Sequence, residues 1–427
     1  MHNLQHQIDV KLGRRGVVAR RDFLRTLAVG AGAALGWTDR VGLASQALRS
    51  SGKRCILLWM EGGPSQFETL DPKDHADAPG SIATSVPGIH LSENLPEIAG
   101  VMDEVALIRS MTSKEGSHPR AQYLMHHGYL PMGGVKFPTL GSNVAERIGD
   151  AACELPSFVR IGGRGRTAGN AGFLGVDFDP LVLDNPEAPP RNARPHSSRE
   201  RYDRRLGLLG RLESDFGAVE GADVVADHRR LVEAASEMIL SPSMEAFDLE
   251  QESESTRASY GEGRFAAGCL LARRLLEAGV TFVEVTMGGW DTHQDNHERV
   301  ATNCKQIDRP TAALIKDLKQ RGMLDSTLVV WMGEFGRTPK VNARGGRDHF
   351  PRAFSAMLAG CGVQGGQVIG ATNEKGSEVI DRPVTPKDLY QTVYQALGID
   401  SEYENMSRVG RPIKLVDDGS SVSELFG

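Results

Sequence analysis

The sequence predicts an α/β protein, a three-layer α/β/α sandwich around a mostly parallel sheet. Runs of continuous apolar residues, typical of strands buried on both faces, alternate along the chain with amphipathic helical patterns. Polar and acidic residues follow these runs at the points where the strands would end. Because ligands of such sheets collect beyond the carboxyl ends of the strands, this pattern also predicts where the functional site lies.

Four apolar runs predict the strands, and the patterns between them predict helices. The predicted strands cover residues 54–60, 105–111, 281–287 and 327–332. The predicted helices cover residues 121–127, 140–148, 263–278 and 308–321. A last helix is predicted over residues 385–398, because Thr385 is a suitable N-cap, Pro386 fits the first helical position and Gly398 is a typical stop.

Residues 184–260 differ in character from the rest of the chain. Three prolines lie in a polar, arginine-rich run, and two charged helical patterns follow it. Strand signals are few, so we predict a helical insertion that covers the sheet or forms a lid. Its basic stretch, residues 191–205, is either a solvated face or a surface that meets an anionic substrate.

The amino terminus resembles a twin-arginine export signal. Arg20 and Arg21 precede an apolar stretch, residues 26–37, which is too short and too rich in glycine and alanine for a stable membrane span. Small residues around Ala44 and Ala47 offer cleavage sites. We therefore predict a signal peptide over 1–47, a single domain over 48–427, and a periplasmic or extracytoplasmic protein without a stable membrane anchor. The alternative is a chance arginine pair before a core helix.

Cysteine spacing and net charge argue against several classes of protein. The five cysteines are scattered and form no C-x-x-C pair, so neither a disulfide framework nor a thiolate zinc site is indicated. The formal net charge is −6, and this acidic balance argues against nucleic acid as a partner.

The segment from Asp291 to His349 carries the donors that a divalent metal needs. Carboxylates and imidazoles bind zinc, and carboxylates bind magnesium, manganese or calcium, so the identity of the metal stays open. The predicted ligands are Asp291, His293, His297, Glu334 and His349, with Glu61 at the rim and Asp348 either a ligand or a group that orients His349. These groups are expected to share one site, although each alone is more often a solvated loop residue. On a helix, His293 and His297 would share one face, but the Gly-Gly before Trp290 indicates a strand end that turns into a loop, with a helix starting near Asp295.

Three motifs, at residues 59–65, 116–125 and 333–339, resemble the exported bacterial family called domain of unknown function 1501. That family is placed in the alkaline phosphatase and sulfatase-like superfamily, and the resemblance covers essentially the whole mature chain. It implies the α/β/α fold, a divalent metal and hydrolysis of phosphate or sulfate esters. The chain departs from the superfamily in having Glu61 where an Asp usually follows the first strand, and Glu334 with Phe335 where an Asp–His pair is common.

The resemblance also implies catalytic residues. Ser117, His118 and Arg120 stand in a pattern similar to the sulfatase motif Cys/Ser-x-Pro-x-Arg-Ala, with one residue missing. It implies that Ser117 is the nucleophile, that His118 lies beside it and that Arg120 or Arg337 grips the anionic group. Ser65 is the rival nucleophile, and a helix N-cap is the alternative role for Ser117.

Two functions remain open at this point. The first is an exported metal-dependent hydrolase that acts on a small anionic ester or on a sulfated or phosphorylated polymer. The second is a non-catalytic exported protein that binds a ligand or a metal on the same scaffold. The fold alone does not distinguish them.

Overall fold

The structure is a computed structural model. It describes residues 52–74, 79–163, 169–193, 198–217, 221–407 and 410–427, without the side chains of 215–217 and 223. The predicted signal peptide, residues 1–47, lies outside the described residues. None of the helices in the described ranges is long and apolar enough to cross a bilayer.

An eight-stranded sheet forms the centre of the molecule and confirms the predicted fold class. In chain order its strands are β1 (Arg54–Met60), β2 (Val105–Met111), β3 (Phe158–Ile161), β4 (Leu181–Leu183), β5 (Phe282–Met287), β6 (Thr327–Met332), β7 (Phe354–Ala359) and β8 (Gln367–Ile369). Their order across the sheet is β8-β2-β7-β6-β1-β5-β3-β4. Only β7 runs antiparallel to its neighbours within this sheet.

The helices cover both faces of the sheet. In chain order they are α1 (Pro96–Ala99), α2 (His118–His127), α3 (Leu140–Ile148), α4 (Arg199–Gly217), α5 (Ala222–Leu240), α6 (Glu254–Tyr260), α7 (Arg264–Glu277), α8 (Asn296–Gln320) and α9 (Pro386–Leu397). Alternate residues of β1 enter two separate apolar cores, since Ile56 packs with α7 and α8 whereas Leu57 packs with α3 and α9. This alternation produces the three layers.

The structure extends the prediction at several elements. The strands β3, β4, β7 and β8 were not predicted. Three of them, β3, β4 and β8, are only three or four residues long and carry little periodicity, and β7 has Ser355 and two alanines where a run of bulky apolar residues would indicate a strand.

Helix α8 begins at Asn296, which agrees with the helix start predicted near Asp295. The helical pattern predicted over residues 308–321 covers only its second half, because its first turns expose polar residues and bury only the widely spaced apolar residues Val300, Cys304 and Ile307. His293 precedes this helix, so His293 and His297 do not share a helix face.

Within residues 184–260, the described stretches 184–193, 198–217 and 221–260 contain α4, α5 and α6 and no strand of the central sheet. A buried ion-pair network ties this segment to the sandwich. Arg273 of α7 is fully buried and donates to Glu252 at 2.8 Å, while Arg274 donates to the same carboxylate oxygen at 2.6 Å. The hydrogen bond from Arg273 is the largest cause that lowers the pKa of Glu252, to about 2.

The Glu252→Gln variant should therefore be less stable by roughly 1–3 kcal/mol at neutral pH, with a pH-dependent deficit. A carboxyl whose pKa is depressed by folding stabilises the protein above its unfolded pKa of about 4.5, and this contribution disappears as pH falls toward 2. The difference between variant and wild type in urea denaturation should shrink over that range. Glu250→Gln, an exposed neighbour, is the control, and a pH-independent difference would contradict the interpretation.

Candidate metal centre

Four segments meet beyond the carboxyl ends of the central strands. The loop after β5 carries Asp291 and His293, and β6 leads directly into Glu334. A short hairpin places His349 opposite Arg337. Gly62, just past β1, has φ +116°, and a Cβ there would lie 2.5 Å from the backbone nitrogen of Asp291, so the two strand ends meet closely only because this residue is glycine.

The donor atoms of the site converge on one carboxylate oxygen. Oδ1 of Asp291 lies 3.1 Å from Nε2 of His293, 3.3 Å from Nε2 of His349 and 3.4 Å from Nε2 of His118. The Nε2 atoms of His293 and His349 are 3.0 Å apart. His118, Asp291 and His349 have donor atoms within 4.8 Å of one another, and His293 adds a fourth beside Asp291 and His349.

Each of the three imidazoles is held by its other nitrogen. Nδ1 of His118 donates to Glu334 at 2.7 Å, that of His293 to Asp348 at 3.0 Å, and that of His349 to the Gly116 carbonyl at 2.8 Å. These contacts leave the three Nε2 atoms beside Oδ1 of Asp291, where they can bind a cation. Metal-binding histidines are normally oriented in this way by a carboxylate or a carbonyl.

The separations fit a metal of zinc-like size. Ligand atoms about 2.0–2.2 Å from a tetrahedral ion lie roughly 3.3–3.5 Å from one another. The measured contacts of 3.0–3.4 Å are close to that spacing. Nε2 of His118 is shielded from solvent and has no hydrogen-bond partner among the described residues. A buried nitrogen without a partner is expected where a bound cation would supply the missing interaction. The donor atoms of His118, Asp291 and His349 all lie within 4.8 Å of one another, and His293 is beside Asp291 and His349. A set of imidazoles with one carboxylate suits zinc or a neighbouring transition metal better than magnesium or calcium.

Glu334 orients His118 instead of contributing a donor to the cluster around Asp291. Its buried carboxylate also accepts from the Gly62 backbone nitrogen at 3.0 Å and from Gln122 at 3.1 Å. Burial lowers the pKa of His118, but the hydrogen bond to Glu334 and its charge outweigh burial and raise that pKa overall.

Replacing Glu334 by Gln should weaken metal binding by about 10–100-fold, because the partner of His118 loses its charge. Competition titration with a chromogenic chelator measures this directly. Glu298→Gln, an exposed carboxylate in the first turn of α8, should bind metal as the wild type does. Equal loss in both variants would show a general charge effect instead of a specific role for Glu334.

Asp291 is held by a buried arginine. Nη2 of Arg337 donates to Asp291 at 2.7 Å, and the same side chain donates to the carbonyls of Gly62, Gly63, Trp290 and Arg347. Partial burial raises the pKa of Asp291, but the hydrogen bond and charge of Arg337 outweigh it and hold that pKa at about 2. Asp291 is therefore ionised at neutral pH.

Several of the predicted site residues lie outside this cluster. His297 contacts the buried Glu68 at 2.9 Å and not Asp291. Asp348 orients His293, whereas His349 was its predicted partner. Ser65 is fully buried, and Arg337 is engaged with Asp291 and four carbonyls, which differs from the predicted role of gripping an anion.

The remaining predicted residues lie around the edge of the cluster. Ser117 is exposed and occupies the N-cap position of α2, but its side chain forms no capping hydrogen bond. The alternative role as a helix N-cap therefore applies to its position and not to its hydroxyl group. Arg120 is half-exposed and pairs with Glu115 at 2.7 Å. Glu61 is half-buried, and burial followed by the charge of Glu334 raises its pKa.

Two contributors were not identified from the sequence. Gln122 follows His118 by four residues, so the two share a face of α2 and donate to the same oxygen of Glu334. Because Ser117 to Arg120 indicate a helix start, this four-residue spacing could have identified Gln122 from the sequence. The Gly116 carbonyl carried no signal, since any residue supplies such a group.

A family model described as "Protein of unknown function (DUF1501)" matches residues 52–426, which confirms the predicted family resemblance. Comparison with curated proteins finds no match.

Among solved structures, PsFucS1 sulfatase from Pseudoalteromonas sp. is 13% identical over 98% of this chain and 81% of its own, with a TM-score of 0.43. A protein in the alkaline phosphatase superfamily from Vibrio parahaemolyticus is 12% identical over 84% and 75%, with a TM-score of 0.37. The periplasmic domain of EcEptC from Escherichia coli, complexed with Zn, is 10% identical over 88% and 95%, with a TM-score of 0.38.

Proposed function

Since this chain belongs to the family described as "Protein of unknown function (DUF1501)", whose description names no activity, we propose a function from the site itself. The proposal is an exported, metal-dependent hydrolase of phosphate or sulfate esters. The observation that carries it is the convergence of three Nε2 atoms on Oδ1 of Asp291, with every Nδ1 already engaged. Such a donor set suits zinc, and a bound ion would supply Lewis-acid stabilisation of developing negative charge.

The residues around the cluster have complementary roles in this proposal. Ser117 lies between two residues that touch the cluster, because His118 contributes Nε2 and the Gly116 carbonyl holds His349. Its exposed hydroxyl is the proposed nucleophile, with a water molecule as the other possibility. Arg120, which is half-exposed, is the better candidate to contact an anionic group, because the donors of Arg337 are occupied. The proposed substrate is a small anionic ester or a sulfated or phosphorylated polymer.

The decisive experiment measures metal and activity together. Purified protein is analysed for bound metal and assayed with 4-nitrophenyl phosphate and 4-nitrophenyl sulfate, before and after chelation and again after zinc is restored. Activity that follows the metal supports the hydrolase. Bound metal without hydrolysis favours the non-catalytic binding protein, and the lack of any bound metal contradicts the centre. A Ser117→Ala variant in the same assay separates serine from water as the nucleophile.

Export is a separate part of the proposal. It rests on Arg20 and Arg21 before the short apolar stretch. Replacing both arginines by lysine should leave the protein in the cytoplasm, whereas the unaltered chain should be found outside the cytoplasmic membrane and shortened near Ala44 or Ala47. Fractionation with immunoblotting measures both, and unchanged export of the variant would contradict a twin-arginine route.

A further inference from the structure

Helix α4 presents an unusual outer face. Leu208 and Leu212 are 59% and 68% exposed, which is high for large apolar side chains. Arg201, Arg204, Arg205 and Arg211 are also exposed. At 100° per residue, these six side chains fall within one arc of about 120°, hereafter the arginine–leucine face.

The arginines of this face differ from the other arginines nearby. Arg199 pairs with Asp203, and Arg230 pairs with Asp177 and Asp227. Within the described residues, no ion pair is formed by the four arginines of the arginine–leucine face. Between residues 201 and 212 this arc contains no acidic residue, and one turn further along Asp215 falls within it, four residues after Arg211. The face therefore combines an excess of positive charge with apolar side chains.

The partner helix adds further apolar exposure. Tyr202 contacts Ser236 at 2.9 Å and His228 contacts Glu213, so α4 and α5 run antiparallel and Leu231 is level with Leu208. Val224 and Leu231 of α5 are 69% and 46% exposed. They are seven residues apart and share one face of α5.

We propose that the arginine–leucine face binds the surface of an anionic phospholipid membrane, with the protein lying on the membrane and not crossing it. Helices that lie in a membrane interface pair apolar side chains with arginine or lysine in this way, and each basic residue near an anionic surface strengthens binding by about fivefold. The proposal does not depend on the hydrolase activity.

Other occupants fit the face less well. A symmetric dimer through this face would bring the two arginine rows together, at a cost in charge repulsion. Nucleic acid would neutralise the arginines but would leave the leucines in a polar phosphate environment. A membrane interface satisfies both kinds of side chain, because anionic headgroups lie directly above the acyl chains.

The test is co-sedimentation of the full chain with vesicles of phosphatidylcholine alone, or of equal parts phosphatidylcholine and phosphatidylglycerol. Binding is expected only to the anionic vesicles and should weaken with added salt. Arg204→Gln/Arg205→Gln should lower affinity by about 20–30-fold, and Leu208→Ser/Leu212→Ser by about 10-fold. Arg257→Gln/Lys305→Gln, which removes the same charge from α6 and α8, should change affinity less than about twofold.

Equal binding of all the variants would overturn the proposal and assign any vesicle binding to another part of the chain, such as its amino terminus. Sedimentation velocity without lipid tests the dimer: a dimer that is lost in the leucine variant would overturn the membrane assignment. A duplex DNA shift that depends on the arginines but not on the leucines would overturn it in favour of nucleic acid. Circular dichroism of each variant, unchanged from the wild type, shows that α4 is still folded.

Discussion

Replacing Asp291 by Asn should lower the affinity for zinc by at least ~100-fold and abolish any metal-dependent hydrolysis, because this loss exceeds that of an orienting residue. Oδ1 of Asp291 is the atom on which the Nε2 atoms of His118, His293 and His349 converge. An amide keeps the shape but loses the charge, so three imidazoles would face the metal without their anionic partner. Metal affinity is measured by chelator competition and hydrolysis with 4-nitrophenyl esters.

The matched control is Asp295→Asn, in the same loop. Asp295 is exposed and has φ +50°, a conformation that asparagine tolerates well. Its metal affinity should remain at the wild-type value. If the Asp291 variant binds zinc as tightly as this control, Asp291 is not a ligand and the proposed centre is wrong.

Replacing Arg337 by Leu should destabilise the protein by about 3–5 kcal/mol, because it leaves several buried carbonyls without their donor and the partly exposed carboxylate of Asp291 without its partner. The side chain is fully buried and joins Asp291 to the carbonyls that follow β1 and β5. Lysine should not restore the loss, since an ammonium cannot present the planar fork of a guanidinium. The free energy of unfolding is measured in urea with a chelator present, so that metal binding does not contribute.

Arg120→Leu provides the comparison for Arg337. Arg120 lies near the same site but is half-exposed, and exposed substitutions usually change stability by less than about 0.5 kcal/mol. A difference of less than about 1 kcal/mol between the two variants would contradict the stabilising role of Arg337. It would also suggest that Asp291 is held in place by the loop alone.

The convergence of Asp291, His293 and His349 was predictable because parallel strands bring their carboxyl ends to one edge. The roles of His118 and Glu334 were not predictable. Glu334 was predicted as a ligand and His118 as a neighbour of the nucleophile, whereas His118 contributes a donor atom to the cluster and Glu334 orients it. Whether a residue contacts an ion or orients another side chain depends on which atoms come within hydrogen-bond distance, and here Glu334 meets Nδ1 of His118 across more than two hundred residues of chain. His297 was wrongly included among the ligands, because the sequence showed the helix start near Asp295 but not that the first turn of this helix directs His297 to the buried Glu68.

The single antiparallel strand of the sheet has a consequence for how the centre is assembled. A parallel successor to β6 would require a crossover that returns the chain to the opposite edge of the sheet before the strand begins. Because β7 runs in the reverse direction, the connection from β6 begins and ends at the same edge. The whole excursion of residues 333–353 therefore stays beside the centre, and one uninterrupted length of chain delivers Glu334, Arg337, Asp348 and His349. One reversal of strand direction thus makes this connection supply most of the residues around the candidate centre.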